Sequence, residues 1–576
     1  MAAIRNVLFI MCDQLRADHL GCAGHPYLRT PNIDALAQRG VRFSNAFVNA
    51  NVCGPSRMSY YTGRYPSSHG ATWNRVPLGV GEVTLGEYLR GSTQRLVLAG
   101  KTHVMPDLDG MARLNIDGAS ELGHLLERGG FEEIDRYDGH HTPGDESGYP
   151  AFLRAQGYAS ADPWTDFVIA AAGPNGECLS GWNMRNVHLP ARVREEHSET
   201  AYMTDQALAF MELEGDEPWV LHLSYVKPHW PYMAPAPYHA MYSADQCLPV
   251  ARTETERADA HPVVAAYRRH EESVSFANDA CVRTVRPAYQ GLITQIDDHL
   301  GRLFNSMAQL GRLDDTLIVF TADHGDFLGD HWLGEKELFY DTVQRVPMIV
   351  VDPSAAADAT RGTVDARFVE SVDVLPTILA ALGIEAPRHR VEGRALQPLL
   401  HGVLASPPKN GGRDVWRPLP RGVGWGQGRA APTASATHPS PQPSPQRGEG
   451  ANPWRDAVYC ELDWSFKEAR LMLGMHVQQC RAWCIRTARW RYVYWLDQPE
   501  QSFGAAAAAA AVAVPCSSGC SARPSMRWRG ASMPSAARMV GSTSTLSTKR
   551  ASTVPRVASA AAPGSTTIIG TRCTVS

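Results

Sequence analysis

Two apolar runs constrain the fold of this 576-residue chain more than any other feature. Residues 6–11 and residues 317–321 each have the continuous apolar pattern of a strand that is buried on both faces. Further runs of this kind lie at 95–99, 219–225 and 346–351. Helical patterns lie between them, for example at 198–213 and 289–310. Buried strands that alternate with helices predict an α/β fold with a large central, mostly parallel sheet flanked by helices.

Each of the first two runs is followed by side chains that can bind a metal ion. Asp13 and Gln14 come after the first run, and Asp323 and His324 come after the second. Open α/β sheets bind their ligands at the carboxyl ends of the strands, so we expect these groups to lie close together. Oxygen ligands suit Ca²⁺, Mg²⁺ or Mn²⁺, and the imidazole slightly favours Mn²⁺. The structural alternative for Asp13 is a helix cap.

A third segment has the pattern of a reactive site. Residues 53–57 are Cys-Gly-Pro-Ser-Arg, and residues 62–63 are Thr-Gly, which gives the form C-x-P-x-R followed by T-G. If a helix begins after Cys53, Arg57 lies above it, because residues four apart share a helix face. Taken alone, the same segment is equally compatible with a buried structural cysteine beside a turn proline.

Basic side chains follow two other strand patterns. Lys101 and His103 come after the run at 95–99, and alternation along an extended segment points both of them the same way. His229 belongs to a Lys-Pro-His segment after the run at 219–225, and Lys336 follows the Asp-His-Gly segment. For His229 the alternative is an ordinary hydrogen-bonded loop histidine.

With these segments the chain resembles the sulfatase branch of the alkaline phosphatase superfamily. The resemblance covers about residues 4–400, and more faintly 454–503. The order is that of the family: an N-terminal Asp, Cys-x-Pro-x-Arg, Gly-Lys-x-His, Lys-Pro-His, Asp-His-Gly and then Lys. Stretches at 236–242, 289–298 and 459–463 are most similar to bacterial phosphonate monoester hydrolases.

The resemblance implies a modified nucleophile and one divalent metal ion. A maturase would oxidise Cys53 to formylglycine, and its hydrate would join Asp13, Gln14, Asp323 and His324 as a metal ligand. One hydroxyl of the hydrate attacks sulfur or phosphorus, and the second expels the bound product by carbon–oxygen cleavage. Ca²⁺ or Mn²⁺ is the expected ion, with Mg²⁺ as a further option.

The resemblance also assigns roles to the remaining polar residues. His103 would contact the hydrate, and His229 would protonate the leaving oxygen. Asn74 occupies the place where phosphonate hydrolases use an Asn on a substrate oxyanion. The implied catalytic set is Cys53, Arg57, Lys101, His103, His229 and Lys336, and the implied substrate-binding set is Asn74, Lys101, His229 and Lys336. Lys227 and His331 are expected to support this site from outside it.

Three hypotheses on function follow. Hydrolysis of small sulfate esters is favoured by Lys101, His103 and Lys227, since the similar phosphonate hydrolases carry Tyr and Thr at the first two places. Hydrolysis of phosphonate monoesters or phosphodiesters is favoured by the overall resemblance and by Asn74. Gln14 stands where many sulfatases have Asp, and it also occurs in relatives similar to choline sulfatases and to phosphonate hydrolases. The third hypothesis is a damaged, inactive family member.

The domain organisation is predicted from changes in composition. Residues 1–402 form the catalytic domain, with an insertion at 110–194 near the mouth of the active site. Residues 403–453 form a low-complexity insertion, and 454–503 form a fragment of a small C-terminal α+β subdomain. Residues 504–576 contain no Asp or Glu. We expect this tail to be disordered, either as the product of a frameshift or as a natural basic tail.

Composition limits partners and location. The net charge of −4 argues against nucleic-acid binding through phosphate neutralisation. Neither a signal peptide nor a bilayer-spanning apolar stretch precedes or interrupts the first strand pattern, so no membrane contact is expected. Twelve cysteines without a pairing rhythm favour the cytoplasm. Cys480 and Cys484 are close enough for a metal site but lack a second pair. Relatives of the phosphonate type imply a homo-oligomer.

Overall fold

The computed structural model describes residues 4–139, 147–404, 454–498 and 501–504. Its strands are β1 (Asn6–Asp13), β2 (Val41–Phe47), β3 (Arg95–Gly100), β4 (Glu132–Arg136), β5 (Ala170–Ala172), β6 (Cys178–Ser180), β7 (Trp219–Pro228), β8 (Thr316–Ala322), β9 (Arg345–Val346), β10 (Met348–Val351), β11 (Thr363–Glu370), β12 (Ala457–Asp463), β13 (Arg481–Thr487), β14 (Trp490–Trp495) and β15 (Gln501–Gly504).

The α-helices range from single turns to the 31 residues of the longest one. They are α1 (Pro31–Arg39), α2 (Cys53–Thr62), α3 (Pro66–His69), α4 (Leu85–Leu89), α5 (Leu108–Arg113), α6 (Glu121–Glu127), α7 (Tyr149–Ala155), α8 (Glu199–Glu214), α9 (Glu254–Ala258), α10 (Pro262–Tyr267), α11 (Glu271–Phe276), α12 (Asp279–Gln309), α13 (Asp341–Gln344), α14 (Val374–Ala381), α15 (Gln397–Leu400) and α16 (Glu468–Met472).

The central sheet has the strand order β11-β2-β10-β8-β1-β7-β3-β4, and β9 pairs with β2 as well. Strand β10 runs antiparallel to both of its neighbours, and the other pairs along this order are parallel. Helices α8 and α12 pack on β7 and on each other, and α2 packs against α14. The prediction of a mostly parallel sheet flanked by helices is therefore confirmed.

The centre of this sheet positions the candidate site. Strand β1 lies between β7 and β8, and all eight of its residues are buried. Because the three strands are parallel, their carboxyl ends meet at one edge. At that edge the pairing of β1 with β7 shifts register between Cys12 and Asp13, so that Asp13 lies opposite Pro228.

Three elements differ in extent from their sequence patterns. The run at 346–351 is divided at Pro347 into β9 and β10, because proline has no N–H for the ladder. Helix α12 begins ten residues before the predicted position 289 and contains Pro287. Asn278 caps the start of this helix, since its side chain accepts the N–H of Ala280. Strand β4 lies within the predicted insertion at 110–194 and forms one edge of the central sheet.

Strands β12 to β15 form a separate antiparallel sheet in chain order, and α16 lies between its first two strands. Arg491, Val493 and Trp495 of β14 are buried, and the residues between them are exposed or partly exposed. This alternation packs one face of the sheet against the rest of the protein. The backbone N–H of Glu461 in β12 donates to the carbonyl of Asn49 at 2.8 Å.

Several sequence-based predictions fall outside this description. Apart from residues 403–404, the predicted low-complexity insertion lies outside the described residues, and so does the tail after residue 504.

Cys484 lies opposite Cys460 across β12 and β13, and both are free thiols, as is Cys480. Among the described helices, none combines the length and the apolar character needed to cross a bilayer.

Candidate active site

The four groups best suited to bind a metal converge at the carboxyl edge of the central sheet. Asp13 ends β1, and Asp323 and His324 directly follow β8. Cys53 is the first residue of α2. One ligand atom from each of these four side chains lies within 4.8 Å of the others, and all four residues are fully buried. The described part of the chain contains no second cluster of this kind, and Cys480 and Cys484 belong to none.

The sequence after Cys53 explains why a helix begins there. Val52 is extended, and Pro55 lies in the first turn, where its missing N–H costs no intrahelical hydrogen bond. The N–H of Gly54 donates to the side-chain oxygen of Asn74 at 2.8 Å. A Cβ at position 54 would lie 3.0 Å from both Asn74 Cα and Asn74 Oδ1, so this close approach favours glycine. The hydroxyl of Ser56 donates to the carbonyl of Asp323 at 2.6 Å.

Arg57 joins the two carboxylates from the next turn of α2. Its Nε donates to Asp323 Oδ2 at 2.8 Å, and one terminal nitrogen donates to Asp13 Oδ2 at 3.2 Å. The other terminal nitrogen donates to the carbonyl of Lys101 and to Ser224 Oγ, each at 2.8 Å. Burial opposes the charge of Arg57, but Asp323, Tyr61 and Asp13 outweigh it and raise its pKa. Arg57 therefore holds both carboxylates in fixed orientations.

Basic groups surround this centre on its other sides. Lys101 Nζ lies 2.5 Å from Asp13 Oδ2. The imidazole of His103 hydrogen-bonds the Cys53 side chain. Lys336 Nζ lies 3.0 Å from His229 Nε2, and the other ring nitrogen of His229 lies 2.5 Å from the carbonyl of Trp230. The structure thus brings the predicted basic residues together around Cys53.

The charges of this group shift several pKa values. Burial raises the pKa of Cys53, but Lys336, Lys101 and His324 together lower it well below its ordinary value. Burial lowers the pKa of His324, whereas Asp323 and the Cys53 thiolate raise it, to about 9. The site is therefore a negatively charged centre within a basic surround, which suits an anionic substrate and a cation together.

Two observations show that the residues present fit a divalent cation. Asp13 Oδ1 is buried and accepts no hydrogen bond, although Oδ2 of the same carboxylate has two basic partners. His324 Nδ1 lies 2.9 Å from the carbonyl of Gly325, and its Nε2 lies 3.1 Å from Cys53 Sγ. Two carboxylates, one imidazole nitrogen and the side chain at position 53 form a donor set for one cation.

Gln14 lies beside this cluster with its amide engaged on both sides. Its Oε1 accepts from Lys336 Nζ at 3.2 Å, and its Nε2 donates to Asp326 Oδ2 at 2.5 Å. Tyr232 also donates to Asp326, at 2.7 Å, and burial raises the pKa of that carboxyl group. The backbone of Gln14 has a φ of 67°, which is uncommon for a residue other than glycine. Gln14 therefore links Lys336 to the loop that carries His324.

Sequence reasoning missed three residues that organise the site. Asp326 is two positions after His324, and this closeness in the chain could have indicated that it belongs to the site. Asp138 accepts the backbone N–H groups of Thr102 and His103 at 3.1 and 3.0 Å. It follows β4 in a stretch without a recognisable motif. Ser224, which binds Arg57, is one residue of an otherwise apolar strand pattern.

The two predicted supporting residues have partners outside the cluster around Cys53. Lys227 Nζ lies 3.0 Å from Glu199 and donates to the carbonyl of Pro231 at 2.8 Å. The contact with Pro231 closes the turn that carries His229, and the contact with Glu199 joins this turn to α8. His331 Nδ1 lies 2.7 Å from Glu256, so His331 connects the 330s loop to α9.

The site therefore joins a buried cation-binding cluster with basic groups suited to an anion, at the carboxyl edge of a large, mostly parallel sheet. The family model described as Sulfatase matches residues 5–384, and the chain belongs to the sulfatase family. It is 36% identical over 414 residues to the "Multifunctional alkaline phosphatase superfamily protein PehA" of Trinickia caryophylli, covering 69% of this chain and 77% of that protein.

Two further comparisons represent the two candidate substrate classes. An "Arylsulfatase" of Clostridium perfringens is 28% identical over 416 residues, covering 69% of this chain and 78% of that protein. The solved structure "Phosphonate monoester hydrolase SpPMH from Silicibacter pomeroyi" is 29% identical, with a TM-score of 0.69, and covers 87% of this chain and 88% of that one. The predicted family is confirmed.

Proposed function

We propose that the protein hydrolyses sulfate monoesters with a formylglycine that a maturase forms from Cys53. One observation carries this proposal. Cys53 is fully buried at the start of α2, in contact with His324 and His103, and two lysines lower its pKa. A structural cysteine needs none of these charged neighbours. A side chain that must be modified, bind a cation and meet an anion needs all of them.

We propose that Asp13, Asp323, His324 and Gln14 hold one Ca²⁺ or Mn²⁺ ion, or else Mg²⁺, together with the modified residue 53. When bound, such an ion stabilises negative charge and lowers the pKa of a coordinated hydroxyl. Gln14 would have to exchange its contact with Lys336 for this role. Arg57 keeps the two carboxylates in place, because its Nε and one terminal nitrogen are bound to them.

The basic residues would bind and orient the sulfate group. Lys101 and Lys336 supply ammonium groups on different sides of Cys53, so each can bind a different sulfate oxygen. Asp138 fixes His103 through backbone hydrogen bonds. His103 is then placed to take a proton from the modified side chain when the covalent intermediate collapses.

His229 would donate a proton to the leaving oxygen. The carbonyl of Trp230, 2.5 Å from Nδ1, favours a proton on that nitrogen. Nε2 then accepts from Lys336 Nζ at 3.0 Å. It would carry the proton to the leaving oxygen after taking one up from Lys336 or from water. Lys336 and His229 would therefore act on neighbouring oxygens of the ester.

Hydrolysis of phosphonate monoesters or phosphodiesters is the second candidate. The observation that favours it is the place of Asn74, whose side chain accepts the N–H of Gly54 beside the nucleophile. The similarity to SpPMH supports it as well. Lys101 and His103 favour the sulfate ester, because the similar phosphonate hydrolases carry Tyr and Thr there.

Kinetics on matched substrates test the choice. We expect the protein, coexpressed with a maturase and loaded with Mn²⁺ or Ca²⁺, to have a higher kcat/KM for 4-nitrophenyl sulfate than for 4-nitrophenyl phenylphosphonate. A difference below about tenfold, or about 1.4 kcal/mol in barrier, would support neither single name. A higher value for the phosphonate would overturn the proposal. Absence of both activities in a protein with modified Cys53 would support the damaged-enzyme hypothesis.

A further inference from the structure

Lys336 lies between two acidic residues on a strained loop. Glu335 and Glu337 flank it, and their backbone φ angles are 55° and 99°. Non-glycine residues adopt such angles only where surrounding contacts fix them. Lys336 Nζ meanwhile contacts His229 and Gln14, as described above. The position of this ammonium group therefore depends on what holds residues 335 and 337.

A lysine from the C-terminal part of the chain pairs with this acidic segment. Lys467 Nζ lies 2.8 Å from Glu337 Oε1 and 3.7 Å from Glu272 Oε1. The Lys467 side chain is 14% exposed and that of Glu337 only 4%, so water screens this pair little. Burial raises the pKa of Glu335, but Lys336 and Lys467 lower it and keep it ionised. Burial raises the pKa of Glu337 to about 7, and Lys467 opposes this shift by pairing with it. Of the carboxylates near Lys467, Glu335 is the one whose charge acts on Lys336.

Backbone contacts place Lys467 and hold the same loop. The N–H of Ala469 donates to His270 Nε2 at 3.0 Å, which fixes the start of α16 beside α11. The side-chain amide of Asn51 donates to the carbonyls of Glu337 and Leu338. Cys460 of β12 in turn donates to Asn51 Oδ1 at 3.1 Å. The C-terminal sheet therefore reaches the loop through both a charge and a chain of hydrogen bonds.

We propose that Lys467 is a positioning residue for Lys336. By pairing with Glu337, it holds residues 335–337 in the conformation that directs the ammonium group of Lys336 to Gln14, His229 and the substrate. Without Lys467, the buried Glu337 would lose its cationic partner, and the loop would shift and carry Lys336 away from the site. This inference rests on the proposed function, in which Lys336 binds the anion. It implies that the C-terminal sheet and its helix α16 help to position an active-site residue.

Four variants separate positioning from general stability. Lys467→Met removes the charge and keeps most of the apolar stem, and Lys467→Arg keeps the charge. The double variant Lys467→Met with Glu337→Gln removes the charges of both partners. Arg470→Met is the matched control, because Arg470 lies in α16, the helix that Lys467 precedes. It donates to the carbonyls of Ser465 and Met475 rather than to these carboxylates.

The first readout compares aryl esters with good and poor leaving groups. We expect Lys467→Met to lower kcat/KM about tenfold more for the poor leaving group, since Lys336 contacts the proposed proton donor His229. Lys467→Arg and the double variant should recover most of the loss, and Arg470→Met should match the wild type. A purely structural defect reduces the active fraction and lowers both values equally, which would overturn the inference.

The second readout needs no turnover. Calorimetry with inorganic sulfate on the metal-loaded full chain should give a Kd about tenfold higher for Lys467→Met than for the wild type, with recovery in Lys467→Arg. An unchanged Kd would overturn the inference. If the wild type bound sulfate but hydrolysed neither ester, the proposed function would fail, while the change in Kd would still decide the role of Lys467.

Discussion

The two sides of the active site are built in different ways. On one side, Asp13 and Asp323 extend directly from the central strands β1 and β8, and Arg57 binds both from the second turn of α2. On the other side, Lys336 lies on a loop in which the next residue, Glu337, pairs with Lys467, which comes much later in the chain. We call these the strand side and the loop side.

The difference concerns how each side is held. The strand side is fixed by buried strands whose ladders cannot move without breaking the core. The loop side depends on contacts with the C-terminal sheet, which enters the site through β12 and the start of α16. Damage to the C-terminal sheet should therefore affect the handling of the leaving group before it affects the centre around Cys53.

The largest expected effect comes from removing the group that the two sides share. Cys53→Ala should lower kcat/KM by at least about a thousandfold, because the proposed nucleophile is lost. Steady-state kinetics with an aryl sulfate would measure it. Cys178→Ala is the control, since Cys178 is an exposed free thiol and should leave activity unchanged. Retention of more than a few per cent of activity in Cys53→Ala would contradict the proposed nucleophile.

Breaking the strand side should cost stability as well as activity. Arg57→Met leaves the buried carboxylates of Asp13 and Asp323 without their shared partner. We expect the free energy of unfolding to fall by about 3–5 kcal/mol in the metal-free protein. Urea unfolding followed by circular dichroism would measure the change. Because a bound cation would replace part of the lost charge, the deficit should shrink with metal, and equal deficits would contradict the metal assignment.

Breaking the loop side should affect activity selectively. His229→Ala should lower kcat about a hundredfold for aryl esters with poor leaving groups and much less for those with good ones. The physical reason is that a good leaving oxygen needs no proton in the transition state. A series of substituted phenyl sulfates would measure this dependence. A loss of the same size across the series would show that His229 does not donate the proton.

The smallest expected effect concerns the attachment of the C-terminal sheet. Burial raises the pKa of Glu461 from 4.5 to about 7, although the hydrogen bond from Ser67 lowers it. The folded state therefore keeps this proton to a higher pH than the unfolded chain does. The protonated Glu461 therefore contributes at most about 3 kcal/mol to the free energy of unfolding. This contribution is fully present below about pH 4.5 and is lost as the pH rises through about 7.

Glu461→Gln tests this sign, because the amide remains neutral at every pH. We expect the Tm of the variant to exceed that of the wild type at about pH 8 and to match it at about pH 4.5. Thermal unfolding followed by circular dichroism at both pH values would measure the two differences. A variant that is less stable than the wild type at the higher pH would contradict the account.

The strand side could be predicted from sequence because each of its elements has a local sequence pattern. The apolar run at 6–11 predicts β1, and Asp13 follows it by necessity. The placing of Arg57 above Cys53 required a helix that begins after Cys53, and α2 begins there. In each case one short stretch determines both the element and the direction of its polar residue.

The loop side could be predicted only in part. Lys336 follows from the resemblance to sulfatases, but nothing near Lys467 connects it to Glu337, since that contact exists only after the C-terminal sheet has packed. Asp138 was missed for the same reason: it follows β4, whose five residues are mostly charged and lack the apolar pattern of the central strands. Tertiary contacts decide both positions, and local patterns do not encode them.

The most direct test of the central claim is the mass of the tryptic peptide 43–57 from protein made together with a formylglycine-forming maturase. The account predicts that this peptide carries an aldehyde in place of the Cys53 thiol, and that the modified fraction follows the specific activity across preparations. An unmodified thiol at Cys53 in a preparation with full hydrolase activity would contradict the account.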